Sequence, residues 1–75
     1  MINKILKNNF EINLKNNILD IKNYIKIIDI SSYKIEVLLD KKILIVNGKE
    51  LLIKCMDEYE IVIKGDVISI QFKDE

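Results

Sequence analysis

Apolar and polar residues alternate with a period of two along most of the chain from Tyr33 onward. The apolar positions of the first such run are Tyr33, Ile35, Val37 and Leu39. Similar alternation recurs over residues 51–56, 59–64 and 67–72. Because successive side chains of a strand point to opposite faces of a sheet, this pattern predicts half-buried β-strands. Residues 43–46 are apolar at four consecutive positions, which predicts a strand covered on both faces.

Polar breaks and glycines divide these runs at short intervals. Asp40 and Asp57 begin polar corners, and Gly65 begins a Gly-Asp turn signal. Asn47-Gly48 is the strongest hairpin signal, because both central residues of a type I′ turn need a positive φ. We therefore expect structural turns at Asn47, Gly48 and Gly65. Strands separated by these turns give an all-β antiparallel meander, or a small barrel or sandwich, of about seven or eight short strands.

The first third of the chain leaves two structures open. Residues 1–10 form either a short amphipathic helix, with isoleucines and a leucine on one face, or a frayed segment. The Asn16-Asn17 pair supplies residues that tolerate the left-handed region of a turn. Residues 18–30 fit both helical and strand periodicity, and their six isoleucines favour strands. Residues 1–75 read as one small β domain.

Composition removes several classes of function. The chain is 49% hydrophobic and 32% charged, with twelve basic residues, all lysine, against twelve acidic ones. A net charge of zero provides no field that attracts nucleic acid or an anionic membrane. Histidine is absent, which removes the usual general base and the commonest metal ligand. A single cysteine and short apolar runs predict a cytoplasmic protein.

No set of residues assembles a catalytic, cofactor-binding or metal site in the sequence. Cys55 has no histidine partner, and its place on the Leu51–Ile53 face predicts a buried thiol. The acidic residues at 57, 58 and 60 lie at a predicted turn, where charges are expected. Once catalytic, cofactor and metal sites are set aside, the sequence leaves binding as the expected class of function. We expect interaction through an open sheet edge or through Tyr24 and Tyr33, because tyrosine is enriched in interfaces. Exposed edges also predict self-association.

A family resemblance extends from Leu19 to Phe72. The segment LDIKNYIKIIDISSYKIEV resembles the first half of the YabP/YqfC-type sporulation proteins, whose Ile-Glu-Asn-aromatic motif reads Ile21-Lys22-Asn23-Tyr24 here. The segment ILIVNGKELLIK is similar to the I-x-G-x-x-L-x-I core of the family. The segment IVIKGDVISIQF is similar to its closing element. The chain lacks the proline and glycine that often precede the first motif, and Lys22 replaces the glutamate.

The resemblance implies a non-enzymatic structural or assembly protein of spore formation in low-GC Gram-positive bacteria. Such a protein acts in the cytoplasm of the mother cell through protein contacts, with a sporulation membrane protein as partner. The alternative is a small Sm-like RNA-binding barrel, because residues 61–67 resemble the second Sm box with Lys64-Gly65 in place of Arg-Gly. No counterpart of the first Sm box is found. Acidic residues among the lysines near Tyr24 and Tyr33 also disfavour nucleic acid.

Overall fold

The computed structural model describes residues 10–75, and within them the chain is all-β with no helix. The strands are β1 (Glu11–Lys15), β2 (Ile18–Lys22), β3 (Lys26–Ile30), β4 (Lys34–Leu39), β5 (Lys42–Met56) and β6 (Glu60–Asp74). The predicted fold class is confirmed, and the ambiguous residues 18–30 form two strands. The predicted count of seven or eight is wrong, because β5 and β6 are 15 residues each and run through two expected turns. The helix predicted within residues 1–10 falls almost entirely outside the described residues.

The six described strands form one antiparallel sheet in the order β1-β2-β6-β5-β4-β3. In a flat sheet of this order β2 and β3 would lie four strand spacings apart, about 19 Å. Only four residue steps separate Lys22 from Lys26, and they span at most about 14 Å. The sheet therefore folds over onto itself. The Asn23 N–H bonds to the Tyr59 carbonyl on one side of the connection, and the Ile25 N–H bonds to the Leu38 carbonyl on the other.

The core lies between the two folded halves of the sheet. Its buried side chains are Leu19, Ile21, Ile35, Val37, Leu39, Leu44, Val46, Leu51, Ile61 and Ile63. Nine of these are fully inaccessible, which a single uncovered sheet face could not achieve. Every one is aliphatic, and none of the polar or charged residues in the described part is buried. Hydrophobic burial along the inward face of each strand therefore holds the two halves together.

Three of the predicted turns are present. Asn16 and Asn17 have φ of 51° and 64°, as a type I′ turn requires, and they connect β1 to β2. Asp40 and Lys41 connect β4 to β5, with Lys41 at φ 63°. Asp57 closes the β5–β6 hairpin, where its Oδ1 accepts hydrogen bonds from the backbone N–H groups of Tyr59 and Glu60, both at 2.8 Å.

The turn predicted at Asn47-Gly48 is wrong. Both residues lie inside β5, paired with Ser69 and Val67 of β6, and the register shifts by one residue between them. Gly48 is needed for a different reason than a positive φ. A Cβ at this position would lie 2.2 Å from the Asp66 carbonyl oxygen, because the two long strands approach closely where they bulge. The Asn-Gly pair therefore marks a bulge in a continuous hairpin.

The turn predicted at Gly65-Asp66 is also wrong, because both residues lie inside β6. Gly65 has φ 144°, and a Cβ there would meet the Glu50 carbonyl oxygen at 2.7 Å. Its N–H donates to the Asn17 carbonyl at 3.0 Å, which ties the β1–β2 turn to the hairpin. Glu50, at φ 53°, is the other irregular residue of this region. The two glycines thus let β5 and β6 bend together rather than end.

Cys55 is exposed, so the predicted burial of its thiol is wrong. The register shifts between Ile53, which is opposite Ile63, and Cys55, which is opposite Val62. One extra residue in β5 reverses the faces that follow it, because side chains alternate with a period of two. Sequence alternation alone does not reveal this shift.

Candidate functional site

The described sheet ends at two strands, β1 on one side and β3 on the other. An edge strand is hydrogen-bonded to a neighbour on one side only, so its other side can pair with a further chain. Ser31 donates its N–H to the Lys34 carbonyl. Because backbone direction alternates along an antiparallel strand, the N–H and C=O of Ile30 then point away from β4. The backbone of β3 is therefore available for strand addition at this point.

Exposed apolar side chains are concentrated along β3. We define the β3 edge surface as Ile25, Lys26, Ile28, Asp29 and Ile30, all of which are exposed. Its three isoleucines are between 44% and 57% accessible. Natural edge strands usually carry charges, proline or bulges that discourage uncontrolled pairing, and β3 carries two charges, Lys26 and Asp29, and one bulge. Beside these charges, Ile28 and Ile30 on the strand and Ile25 just before it leave an exposed apolar surface that another chain can cover.

A bulge places the two charges of the β3 edge surface on the same face. Lys26 is opposite Leu38 and Asp29 is opposite Glu36, with a register shift between Ile27 and Asp29. Leu38 and Glu36 are two residues apart in β4 and share the outer face of the sheet. Lys26 and Asp29 therefore share that face, although they are three residues apart.

Asp29 lies in an acidic environment. Glu36 is directly opposite it, and like charges in that arrangement repel. Lys34 pairs with Glu36 at 3.0 Å, and this hydrogen bond together with the Glu36 charge raises the pKa of Lys34, to which Asp29 adds a smaller contribution. Among residues 10–75, neither Asp29 nor Lys26 takes part in an ion pair within 4 Å.

The opposite edge, β1, is more polar. Its five residues include Glu11, Asn13 and Lys15, and the Asn13 amide donates to the Glu11 carboxylate at 3.1 Å. Leu14 is its one exposed apolar side chain, at 50% accessibility. Just before β1, the ring of Phe10 lies 6.0 Å from the ring of Phe72, so the chain here packs across to β6. Of the two edges, β3 is the better candidate for binding.

The two predicted interaction residues flank β3 and differ in role. Tyr24 precedes the strand, is half-buried against the core, and donates its hydroxyl to the Asp57 carbonyl. Tyr33 lies in the β3–β4 turn with 67% of its surface accessible. Tyr24 therefore links the β2–β3 connection to the end of the β5–β6 hairpin, whereas Tyr33 is exposed in the turn that follows β3. The sequence reasoning missed Lys26, Ile28, Asp29 and Ile30. The sequence signal for this surface is a lysine and an aspartate that flank a pair of isoleucines.

The acidic residues near the β5–β6 turn are used in two different ways. The two backbone N–H groups bound by Asp57 hold the pKa of its carboxyl below the usual range. The carboxyl of Glu60 lies beside that of Asp20, and a hydrogen bond between them raises the pKa of Glu60, with burial adding to the effect. One buried oxygen of Asp20 has no hydrogen-bond partner among the described residues. A proton on Glu60 lets the pair share a hydrogen bond, which accounts for the direction of the shift.

A depression lies beside the bulges of the long hairpin. Its lining residues are Asn17, Glu50, Leu52, Lys64, Gly65 and Asp66. The lining mixes one lysine with two carboxylates and contains no hydroxyl, thiol or imidazole side chain. Within residues 10–75, no three His, Cys, Asp or Glu side chains come together as metal ligands. The same part of the chain contains no helix with the length and apolarity to cross a bilayer.

Comparison of the chain with protein-family models, with curated proteins and with solved structures finds no match.

Proposed function

We propose that this chain is a non-enzymatic assembly protein that works by protein–protein contact through the β3 edge surface. The observation that carries the proposal is a group of exposed isoleucines, Ile28 and Ile30 on β3 and Ile25 just before it, at a strand whose outer side has no neighbour in the described sheet. Strand addition at such an edge supplies affinity through backbone hydrogen bonds, and the side chains supply specificity.

The biological setting comes from the resemblance to YabP/YqfC-type proteins. It points to spore formation, in the cytoplasm of the mother cell, with a sporulation membrane protein as a partner. An all-β chain with an open edge supports this proposal, because it suits a protein that joins others without chemistry of its own.

A complementation experiment in the organism that encodes the chain tests the proposal. The gene is deleted, and heat-resistant spores are counted after complementation with wild type, Ile28→Lys or Leu14→Lys. Ile28 and Leu14 are matched, because they lie on the two edge strands and are 44% and 50% accessible. We expect wild type and Leu14→Lys to restore the spore count and Ile28→Lys to fail.

Immunoblots of each strain establish that the variants accumulate equally. A deletion without a sporulation defect would contradict the setting. Full restoration by Ile28→Lys would contradict the role of the β3 edge.

A further inference from the structure

The charges of the β3 edge surface are complementary to a second copy of themselves. In an antiparallel pair of two β3 strands, a two-fold axis between Ile27 and Ile28 brings Lys26 of each copy opposite Asp29 of the other. The same register brings Ile25 opposite Ile30 and Ile27 opposite Ile28. Each charge then meets its opposite and Ile25 meets Ile30, while Ile27 stays packed against the core of its own copy. This is the self-complementarity that a two-fold interface requires.

The bulge makes this register possible. In a regular strand, residues three apart lie on opposite faces, so Lys26 and Asp29 could not meet across a two-fold axis. The register shift at Ile28 places both on the outer face, as their partners Leu38 and Glu36 show. If the second copy shifts by one residue, the charges of the two copies lie on different faces of the joined sheet. A flat, regular strand in place of the second copy does not bring opposite charges to both Lys26 and Asp29.

Electrostatic interactions also favour a second copy of the chain at the β3 edge surface. Asp29 has the carboxylate of Glu36 opposite it, while the nearby Lys34 is already paired with Glu36 at 3.0 Å. The lysine of a second copy supplies an opposite charge at Asp29. Lys26, which has no ion pair with any other described residue, gains one in the same step.

We infer that the occupant of the β3 edge surface is a second copy of this chain, paired antiparallel through β3 with Lys26 of each copy opposite Asp29 of the other. The inference rests on the proposed function, because it names the partner of the same surface. The pairing joins the described six-stranded sheets of the two copies into one continuous sheet, with a β1 strand at each end.

Charge reversal tests the pairing without deleting apolar area. In Lys26→Asp, both inter-copy pairs become acidic, and in Asp29→Lys both become basic. We expect each variant alone to raise the dimer dissociation constant about tenfold, since two opposite-charge contacts become repulsive. An equimolar mixture of the two variants restores association as a heterodimer, because each acidic position then faces a lysine.

Sedimentation equilibrium over a concentration series measures this, in reducing buffer because Cys55 is exposed. Lys15→Asp on β1 is the matched control and leaves the dissociation constant unchanged. Circular dichroism verifies that each variant keeps the sheet. A wild type that stays monomeric at millimolar concentration overturns the inference, as does a mixture that associates no better than its components.

Failure of this inference is distinguishable from failure of the proposed function. A monomeric wild type combined with a sporulation defect in Ile28→Lys refutes the second copy and keeps the β3 edge surface as the site for another protein. If the charge variants disrupt the dimer but deletion of the gene causes no sporulation defect, the pairing is supported and the role in spore formation is refuted.

Discussion

The carboxyl of Glu60 lies beside that of Asp20 and makes a contribution to the stability of the sheet that depends on pH. The two residues lie on neighbouring strands, where Glu60 is opposite Lys22 and Asp20 is opposite Val62. The Asp20 hydrogen bond raises the pKa of Glu60, so the folded state holds that proton more tightly than the unfolded chain. Glu60 by itself therefore contributes stability at low pH, and this contribution is lost as the pH rises from about 4.3 through its raised pKa. The lowered pKa of Asp57 acts in the opposite sense, because its contribution is lost as the pH falls.

We predict that Glu60→Gln raises the midpoint of thermal unfolding at pH 7. The amide replaces an acceptor with a donor to the Asp20 carboxylate and removes the repulsion between two charges. Thermal unfolding of wild type and variant between pH 4 and pH 7 checks this, with the difference expected to grow as the pH rises. Glu58→Gln is the control at the neighbouring exposed carboxyl. A variant less stable than wild type at pH 7 would contradict the shared-proton account.

At the scale of elements, β5 and β6 explain both the success and the errors of sequence reasoning. Period-two alternation locates all three later strands, β4, β5 and β6, and the residue types of Asn16-Asn17 predict the turn before β2. Alternation does not report a bulge, however, because a bulge and a turn both need glycine and both interrupt the pattern. The alternation pattern therefore predicts that strands end at Gly48 and Gly65, whereas β5 and β6 continue through these positions. The exposure of Cys55 has the same origin.

The close approach at Gly48 gives a prediction for the hairpin. Gly48→Ala places a Cβ within 2.2 Å of the Asp66 carbonyl oxygen and 2.9 Å of the Leu51 side chain, so the strands must separate. We expect a loss of about 1–3 kcal/mol in the free energy of unfolding, as for overpacked core sites. Urea denaturation followed by circular dichroism measures it.

The adjacent residue provides the control for this substitution. Asn47→Ala removes one hydrogen bond, from the Asn47 amide to the Ser69 hydroxyl at 3.3 Å, and we expect it to cost about 1 kcal/mol or less. Equal losses for the two variants would show that the hairpin tolerates a side chain at Gly48.

At the scale of the whole molecule, the two edges of the described sheet differ in character. The β1 edge is polar, and the residue before it packs against Phe72. The β3 edge presents three exposed isoleucines with a lysine and an aspartate on one face. The sequence predicted open edges and a nearby tyrosine, which follow from strand number and residue type. It could not predict which strand lies at the edge, because that depends on how the sheet folds over and brings β2 beside β6.

Amide hydrogen exchange at Ile30 tests the central claim, that the β3 edge is the surface at which this protein associates. The N–H of Ile30 points away from β4, so solvent reaches it in the monomer and a paired strand protects it. Exchange is followed by nuclear magnetic resonance at micromolar and millimolar protein concentration, with the amides of β1 as the internal reference. We predict that the Ile30 amide exchanges more slowly as concentration rises while the β1 amides do not change. An Ile30 exchange rate independent of concentration, or equal slowing along β1, would contradict the account.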